Sequence, residues 1–129
     1  SVKALSPDEK ALTELEAIGV NTQPIHHSFD FSSLPFDEYS AVVTLFHEHE
    51  WEASILGSAL NSSVDYIGAL GSKKTHTDRL KKLHRVKRTN RAPESISGPV
   101  GLDIGAQNPN EIAISILAEI ISHRRQGSR

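Results

Sequence analysis

At 129 residues with 37% hydrophobic content, the chain has material for one domain around a single core, and no apolar run approaches the roughly 20 residues needed to cross a bilayer. It contains no cysteine, which excludes disulfides, thiolate metal sites and a thiol nucleophile, and fits a reducing, cytoplasmic setting. The net charge of −2 hides an asymmetry: nine of the fourteen Lys and Arg residues lie between Lys73 and Arg91, where Asp78 is the one acid.

In chain order, Ser6-Pro7-Asp8-Glu9 predicts a helix start, with a serine cap, proline at the first helical position and a glutamate three after the cap. The opening residues lead straight into that signal, so the expectation is a chain with no secretory leader. Leu12, Leu15 and Ile18 recur at helical spacing, and Gly19 supplies the stop. Val20 to Ile25 reads as a short strand, pushed to a sheet edge because Pro24 cannot donate to a ladder. After a loop containing Pro35, the continuous apolar run Ala41 to Phe46 predicts a strand covered on both faces. A helix from about Glu50 to Leu60 follows, then a second buried strand from Val64 to Leu70.

The basic segment forms a surface helix from Lys73 to Val86, whose apolar stripe is only Leu80, Leu83 and Val86. Val100 to Ile104 reads as a last short strand. Asn108-Pro109-Asn110-Glu111 repeats the cap, proline and glutamate arrangement and opens a helix to Arg124. That helix is apolar around most of its circumference, which predicts burial against the sheet on one side and against a second copy of the chain on the other. Strands alternating with helices give an α/β fold with a parallel sheet, and functional residues belong at the C-terminal ends of its strands.

Three segments have the residues for chemistry. In Tyr66-Ile67-Gly68-Ala69-Leu70-Gly71-Ser72-Lys73-Lys74-Thr75-His76, a strand ends in glycines and a helix opens with a hydroxyl and two lysines. Free backbone N–H groups, a positive helix end and two ammonium groups meet there, which suits a phosphate. The segment misses a Walker A loop by one residue, since Lys73 stands where that loop has glycine. Alone, it describes an ordinary strand-to-helix turn equally well.

At the preceding strand end, His47-Glu48-His49-Glu50-Trp51-Glu52 offers two imidazoles at i, i+2 for a metal or a substrate oxygen. It is not the H-E-x-x-H signature, and a third ligand would have to come from His76 or Asp103. Its glutamates also fit a polar loop before a helix. Gly98-Pro99-Val100-Gly101-Leu102-Asp103-Ile104-Gly105-Ala106 is a third place for close backbone approach, or a tight turn against the sheet.

In this order, and together with Glu111-Ile112-Ala113-Ile114-Ser115-Ile116-Leu117-Ala118-Glu119-Ile120, these segments resemble the Rossmann-like C-terminal domain of the XdhC/CoxI family. That family comprises accessory proteins of xanthine dehydrogenase and related molybdenum hydroxylases. The resemblance implies a three-layer, Rossmann-like α/β domain with a mostly parallel sheet over residues 1–129. It also implies a non-catalytic role: binding molybdenum cofactor (molybdopterin) and delivering it to a client hydroxylase, with a separate sulfurase as a further partner. The implied cofactor-binding set is His47, His49, Gly68, Gly71, Ser72, Lys73, Lys74, Thr75, Gly101 and Asp103. Within it, the glycine-loop amides and lysines would take phosphate, and the histidines and Asp103 the pterin or metal-oxo end.

Family members often begin this domain with a strand and a G-x-G-type turn, and nothing like that turn precedes Ser6. The expectation is a fold lacking its first strand and dinucleotide loop, whose open ladders favour a homodimer or completion by a partner. Two other functions compete. An NAD(P)-type oxidoreductase fits the fold class but finds no G-x-G-x-x-G turn in the chain. A nucleic-acid or acidic-protein binder fits the basic run, but no aromatic residue interleaves with it for base stacking.

Overall fold

The computed structural model describes residues 1–26, 29–46, 51–86 and 89–127, and it divides the chain into two compact units, Ser1–Asp30 and Phe31–Arg129. The first is a βαβ unit. Strand β1 (Lys3–Ser6) leads through helix α1 (Glu9–Ala17) to strand β2 (Asn21–Pro24), and the strands pair in parallel from Lys3 opposite Asn21 to Ser6 opposite Pro24.

The cap of α1 is Asp8, not Ser6. Asp8 Oδ1 accepts from the N–H groups of Lys10 (3.0 Å) and Ala11 (3.3 Å). Ser6 is the last residue of β1, its carbonyl is taken by Ile25 N–H at 3.1 Å, and its hydroxyl serves Asp8 N–H instead. A residue committed to a ladder cannot also open the helix, so the role passes to the next side chain with a suitable oxygen. Leu12 is buried, but Ile18 lies beyond the last helical turn and is exposed. Gly19, at φ +89°, closes the helix: its N–H bonds Glu16 O, and Val20 N–H reaches back to Leu15 O, a Schellman arrangement.

The second unit begins with a 3₁₀ turn at Phe31–Ser33, then strand β3 (Ala41–Thr44), helix α2 (Glu52–Leu60), strand β4 (Tyr66–Ala69), helix α3 (Lys73–Val86), a 3₁₀ turn at Pro93–Ser95 and helix α4 (Pro109–Gly127). Strands β3 and β4 run parallel, Ala41 opposite Tyr66 and Thr44 opposite Ala69. Every residue of β4 is buried, as expected of a strand covered on both faces. In β3 the burial alternates: Val42 and Thr44 are buried, Ala41 is exposed, and the strand stops before Leu45, itself exposed. The apolar run there overstated the cover, because β3 packs through one face only.

Helices α2 and α3 pack together, with Leu56, Ala59, Leu60, Ile67, Ala69 and Leu83 among the buried side chains. Trp51, at the start of α2, is held edge-on by Phe31, their ring centroids 6.5 Å apart. Helix α4 packs on β4, where Tyr66 donates its hydroxyl to Glu119 Oε1 and meets the His123 ring edge-on at 5.6 Å. A helix pair, a parallel sheet and a further helix make the three layers of this unit.

One expectation for its C-terminal half needs correction. Val100 to Ile104 is not a strand. Pairing instead occurs earlier, where Ser97 N–H bonds Ile67 O (2.8 Å), Ala69 N–H bonds Ser97 O (3.0 Å) and Val100 N–H bonds Ala69 O (3.0 Å). Gly101, at φ +103°, then turns the chain away from the ladder. Helix α4 meets the sheet on one side, where Ser115 is buried, and leaves Ile114, Leu117 and Ile121 on the other as a stripe about 60% exposed. Composition alone could not say which apolar side chains the sheet would reach. Among the described residues no helix is long and apolar enough to cross a membrane.

Candidate functional site

The glycine segment after β4 builds a helix end with unspent donors. Leu70 N–H still pairs with Thr44 O at 2.9 Å, so the turn starts directly at the strand tip. Gly71, at φ +141°, makes that turn, and a Cβ there would press on Thr75 Cγ2 at 2.9 Å. Ser72 caps α3: its Oγ accepts Thr75 N–H at 3.1 Å and meets Thr75 Oγ1 at 2.9 Å, while its carbonyl takes His76 N–H at 3.0 Å. The third and fourth N–H groups of the helix are therefore satisfied. Those of Lys73 and Lys74, the first two, have no acceptor among the described residues, and both lysine side chains are exposed without an ion-pair partner there.

Behind this turn lies a charged cluster that sequence reasoning missed. Arg79 and Glu52 are both buried, and the guanidinium forks onto Glu52 Oε1 through Nε and Nη2, each at 2.8 Å. Nη1 donates to His76 Nδ1 at 2.9 Å, and Nη2 to Leu70 O at 2.5 Å. A guanidinium has only donors, so His76 Nδ1 must accept, and the ring is neutral with its proton on Nε2. Burial first, and the neighbouring Arg79 charge second, hold the His76 imidazole below its ordinary value of 6.5. A signal was present: Arg79 stands four residues before Leu83, and Glu52 four before Leu56, so opposite charges continue the apolar stripes of two neighbouring helices. A cleft of about 150 Å³ runs between α2 and α3 over this cluster, bordered by Leu56, Thr75, Asp78 and Lys82.

The other expected residues are differently placed. Gly68 is buried in β4, and the space a Cβ would take is filled by Val100 and by the Tyr66 ring, so its lack of a side chain serves internal packing. Gly101 packs against Ser115 of α4, and its N–H donates to Glu119 Oε1 at 3.3 Å. That carboxylate also takes the Tyr66 hydroxyl; burial, then the Glu119 contact, push the phenol well above its ordinary value. Asp103 is exposed and without a hydrogen bond or ion pair among the described residues. His47 and His49 lie outside the described residues, as do Glu48 and Glu50. Among the described residues no group of three or more His, Asp or Glu side chains is placed to hold a metal ion.

The basic run is less of a surface than its count of charges suggests. Arg79 is internal, and Arg91 turns inward to donate to the carbonyls of Val64 (2.8 Å), Ala59 (2.7 Å) and Ser62 (3.1 Å). Lys73, Lys74, Lys81, Lys82 and Arg85 are exposed, while Lys87 and Arg88 lie outside the described residues.

Comparison with known proteins places this arrangement in a family. The sequence model of the XdhC Rossmann domain matches residues 2–120. The chain is 37% identical over 102 residues to the molybdenum cofactor insertion chaperone PaoD of Escherichia coli (strain K12), covering 76% of this chain and 32% of that protein. It is 36% identical over 95 residues to a probable xanthine dehydrogenase subunit from Bacillus subtilis (strain 168), covering 74% and 27%. A crystal structure described as a xanthine dehydrogenase from Bacillus halodurans superposes with a TM-score of 0.58 at 27% identity, over 96% of this chain and 43% of that one. The chain thus spans about a third or less of the curated relatives it matches. With a Rossmann-type α/β architecture and a match over nearly its whole length, the chain belongs to the XdhC Rossmann-domain family.

Proposed function

We propose that this domain takes part in maturing molybdenum hydroxylases by holding the phosphate-bearing end of molybdenum cofactor (molybdopterin) and passing the cofactor to a client such as xanthine dehydrogenase. The observation that carries the reading is the start of α3, where the unspent N–H groups of Lys73 and Lys74 stand with two unpaired ammonium groups at the C-terminal tip of β4. Helix-end amides and nearby cations are the donor set a phosphate requires. The names of the relatives, an insertion chaperone and a dehydrogenase component, supply the cofactor class.

In this reading Gly71 and Ser72 shape the turn, Thr75 buttresses it, and the lysines neutralise the anion. His47, His49 and Asp103 remain the proposed contacts for the pterin end, where the cofactor would bring its molybdenum. The chain is a holder and not a catalyst, and with no cysteine any sulfur transfer falls to a separate enzyme. A cytoplasmic location and a homodimer complete the proposal, the latter supported by the exposed Ile114, Leu117 and Ile121 stripe.

The test is retention of fluorescent molybdopterin by the wild-type chain and by a Lys73→Ala/Lys74→Ala variant. Loss of one charge-assisted contact is expected to weaken binding about tenfold, and loss of both more. A wild-type chain that retains no molybdopterin, or a double variant that binds equally well, overturns the reading. The inward turn of Arg79 and Arg91 weighs against nucleic acid as the partner. Binding of molybdopterin that survives salt concentrations sufficient to release single-stranded DNA would settle that competition.

A further inference from the structure

The two free amides at the start of α3 are those that any helix leaves unspent, because its first four N–H groups have no helical carbonyl one turn back. What is particular here is how the turn that presents them is held: Ala69 O takes Val100 N–H at 3.0 Å, and Leu70 O takes the Arg79 guanidinium. We propose that Arg79, anchored by Glu52 and His76, is the positioning residue of the anion site, holding the Gly71–Ser72 turn, and with it the Lys73 and Lys74 amides, in place.

Three observations support this. Arg79 joins three separate pieces of the unit: Glu52 on α2, His76 in the first turn of α3, and Leu70 at the end of β4. Its Nη2 would lie 3.3 Å from a Cβ at residue 71, so Gly71 rests against the guanidinium itself. His76 in turn occupies the space beside Gly98 where a side chain would project, which ties the cluster to the segment pairing along β4.

Stability alone does not explain such a group. A buried ion pair is often matched or exceeded by well-packed apolar residues of similar volume. A leucine or methionine pair could fasten α2 to α3, but could not tether the Leu70 carbonyl at the start of the turn. Lysine could not either, because one ammonium group lacks the planar fork that reaches Glu52, His76 and Leu70 together.

This inference rests on the anion-site reading, and the experiment separates the two. The probe is inorganic pyrophosphate, titrated into the full 129-residue chain and followed through the backbone amide signals of Gly71, Ser72, Lys73 and Lys74. The variants are Arg79→Lys, Glu52→Gln as a milder change, and Leu83→Ala as a control that destabilises the same helix pair away from the turn. In Arg79→Lys we expect ligand-free shift changes confined to residues 70–76, and pyrophosphate binding weakened about tenfold. Glu52→Gln should show the same pattern more weakly. Leu83→Ala should lower the melting temperature while leaving the turn signals and the affinity unchanged.

Arg79→Lys signals at residues 70–76 that match wild type without ligand, or wild-type affinity in that variant, overturn the positioning role. Wild-type chain that does not bind pyrophosphate overturns the anion site, while the ligand-free spectra still decide whether Arg79 holds the turn.

Discussion

The unit from Phe31 onward contains two glycine turns that each lead into a capped helix, and they differ in what their backbone has left to offer. After Gly71, Ser72 satisfies Thr75 and His76, and the amides of Lys73 and Lys74 stay open. After Gly101 the amides at the turn itself are spent internally, Gly101 N–H on Glu119 and Leu102 N–H on Ser115 O, and at the start of α4 Gln107 N–H goes to Glu111 Oε1 and Glu111 N–H to Asn108 Oδ1. Both turns have glycines at positive φ and both looked alike as strings of letters. Glycine reports that a backbone is crowded or left-handed, and in both turns the protein does the crowding, through Thr75 and Arg79 at Gly71 and through Ser115 at Gly101; only the neighbouring amides tell the turns apart.

Substitutions can break this contrast, and the largest effect belongs to the closed turn. Gly101→Ala combines a left-handed φ with a clash against Ser115, and roughly 3 kcal/mol of stability should be lost. Denaturant unfolding measures that loss, and pyrophosphate shifts at Gly71 to Lys74 should persist. Gly71→Ala should cost about 2 kcal/mol through φ strain and the stiff Thr75 side chain, and here pyrophosphate binding should weaken about tenfold as well. Ser72→Ala removes the cap for about 1 kcal/mol, visible in the melting curve.

The smallest effect is one of pH. The folded chain holds His76 below 6.5, so the unfolded chain takes up the proton first as the solution is acidified. Stability is therefore fullest above pH 6.5, declines as pH falls from there towards the lower folded value, and then levels off. Burial of the ring, then the Arg79 charge, set the extent of that decline, and Glu52 offsets part of it. Melting temperatures of wild type and His76→Asn across this interval should converge at acid pH; parallel curves would exclude His76 as the source.

Periodicity and caps made much of the architecture legible. Lys73 to Val86 is a helix with the expected ends, Asn108 caps α4 by accepting Glu111 N–H while the Glu111 carboxylate takes Gln107 N–H, and β4 is buried throughout. These are local decisions, governed by residues within one turn of each other. What stayed hidden depends on contacts between distant segments. Ser6 lost the cap to Asp8 because β2 claimed its carbonyl. The Val100 strand yielded to pairing at Ser97 because β4 presented its edge there. Arg79 counted as one more surface cation until Glu52, 27 residues away, drew it inward. For the candidate site, the lysines, the turn and its free amides could be read in advance, but the Arg79 tether behind them could not.

Arg91 illustrates how much a single planar cation can organise. It collects carbonyl oxygens from the last turn of α2 and from the chain entering β4, groups that point in several directions and would otherwise be stranded at a helix exit. One side chain thus works as a clasp over a whole corner of the unit. An evolutionary drift to lysine would conserve the charge yet open the corner, so the position should tolerate little besides arginine.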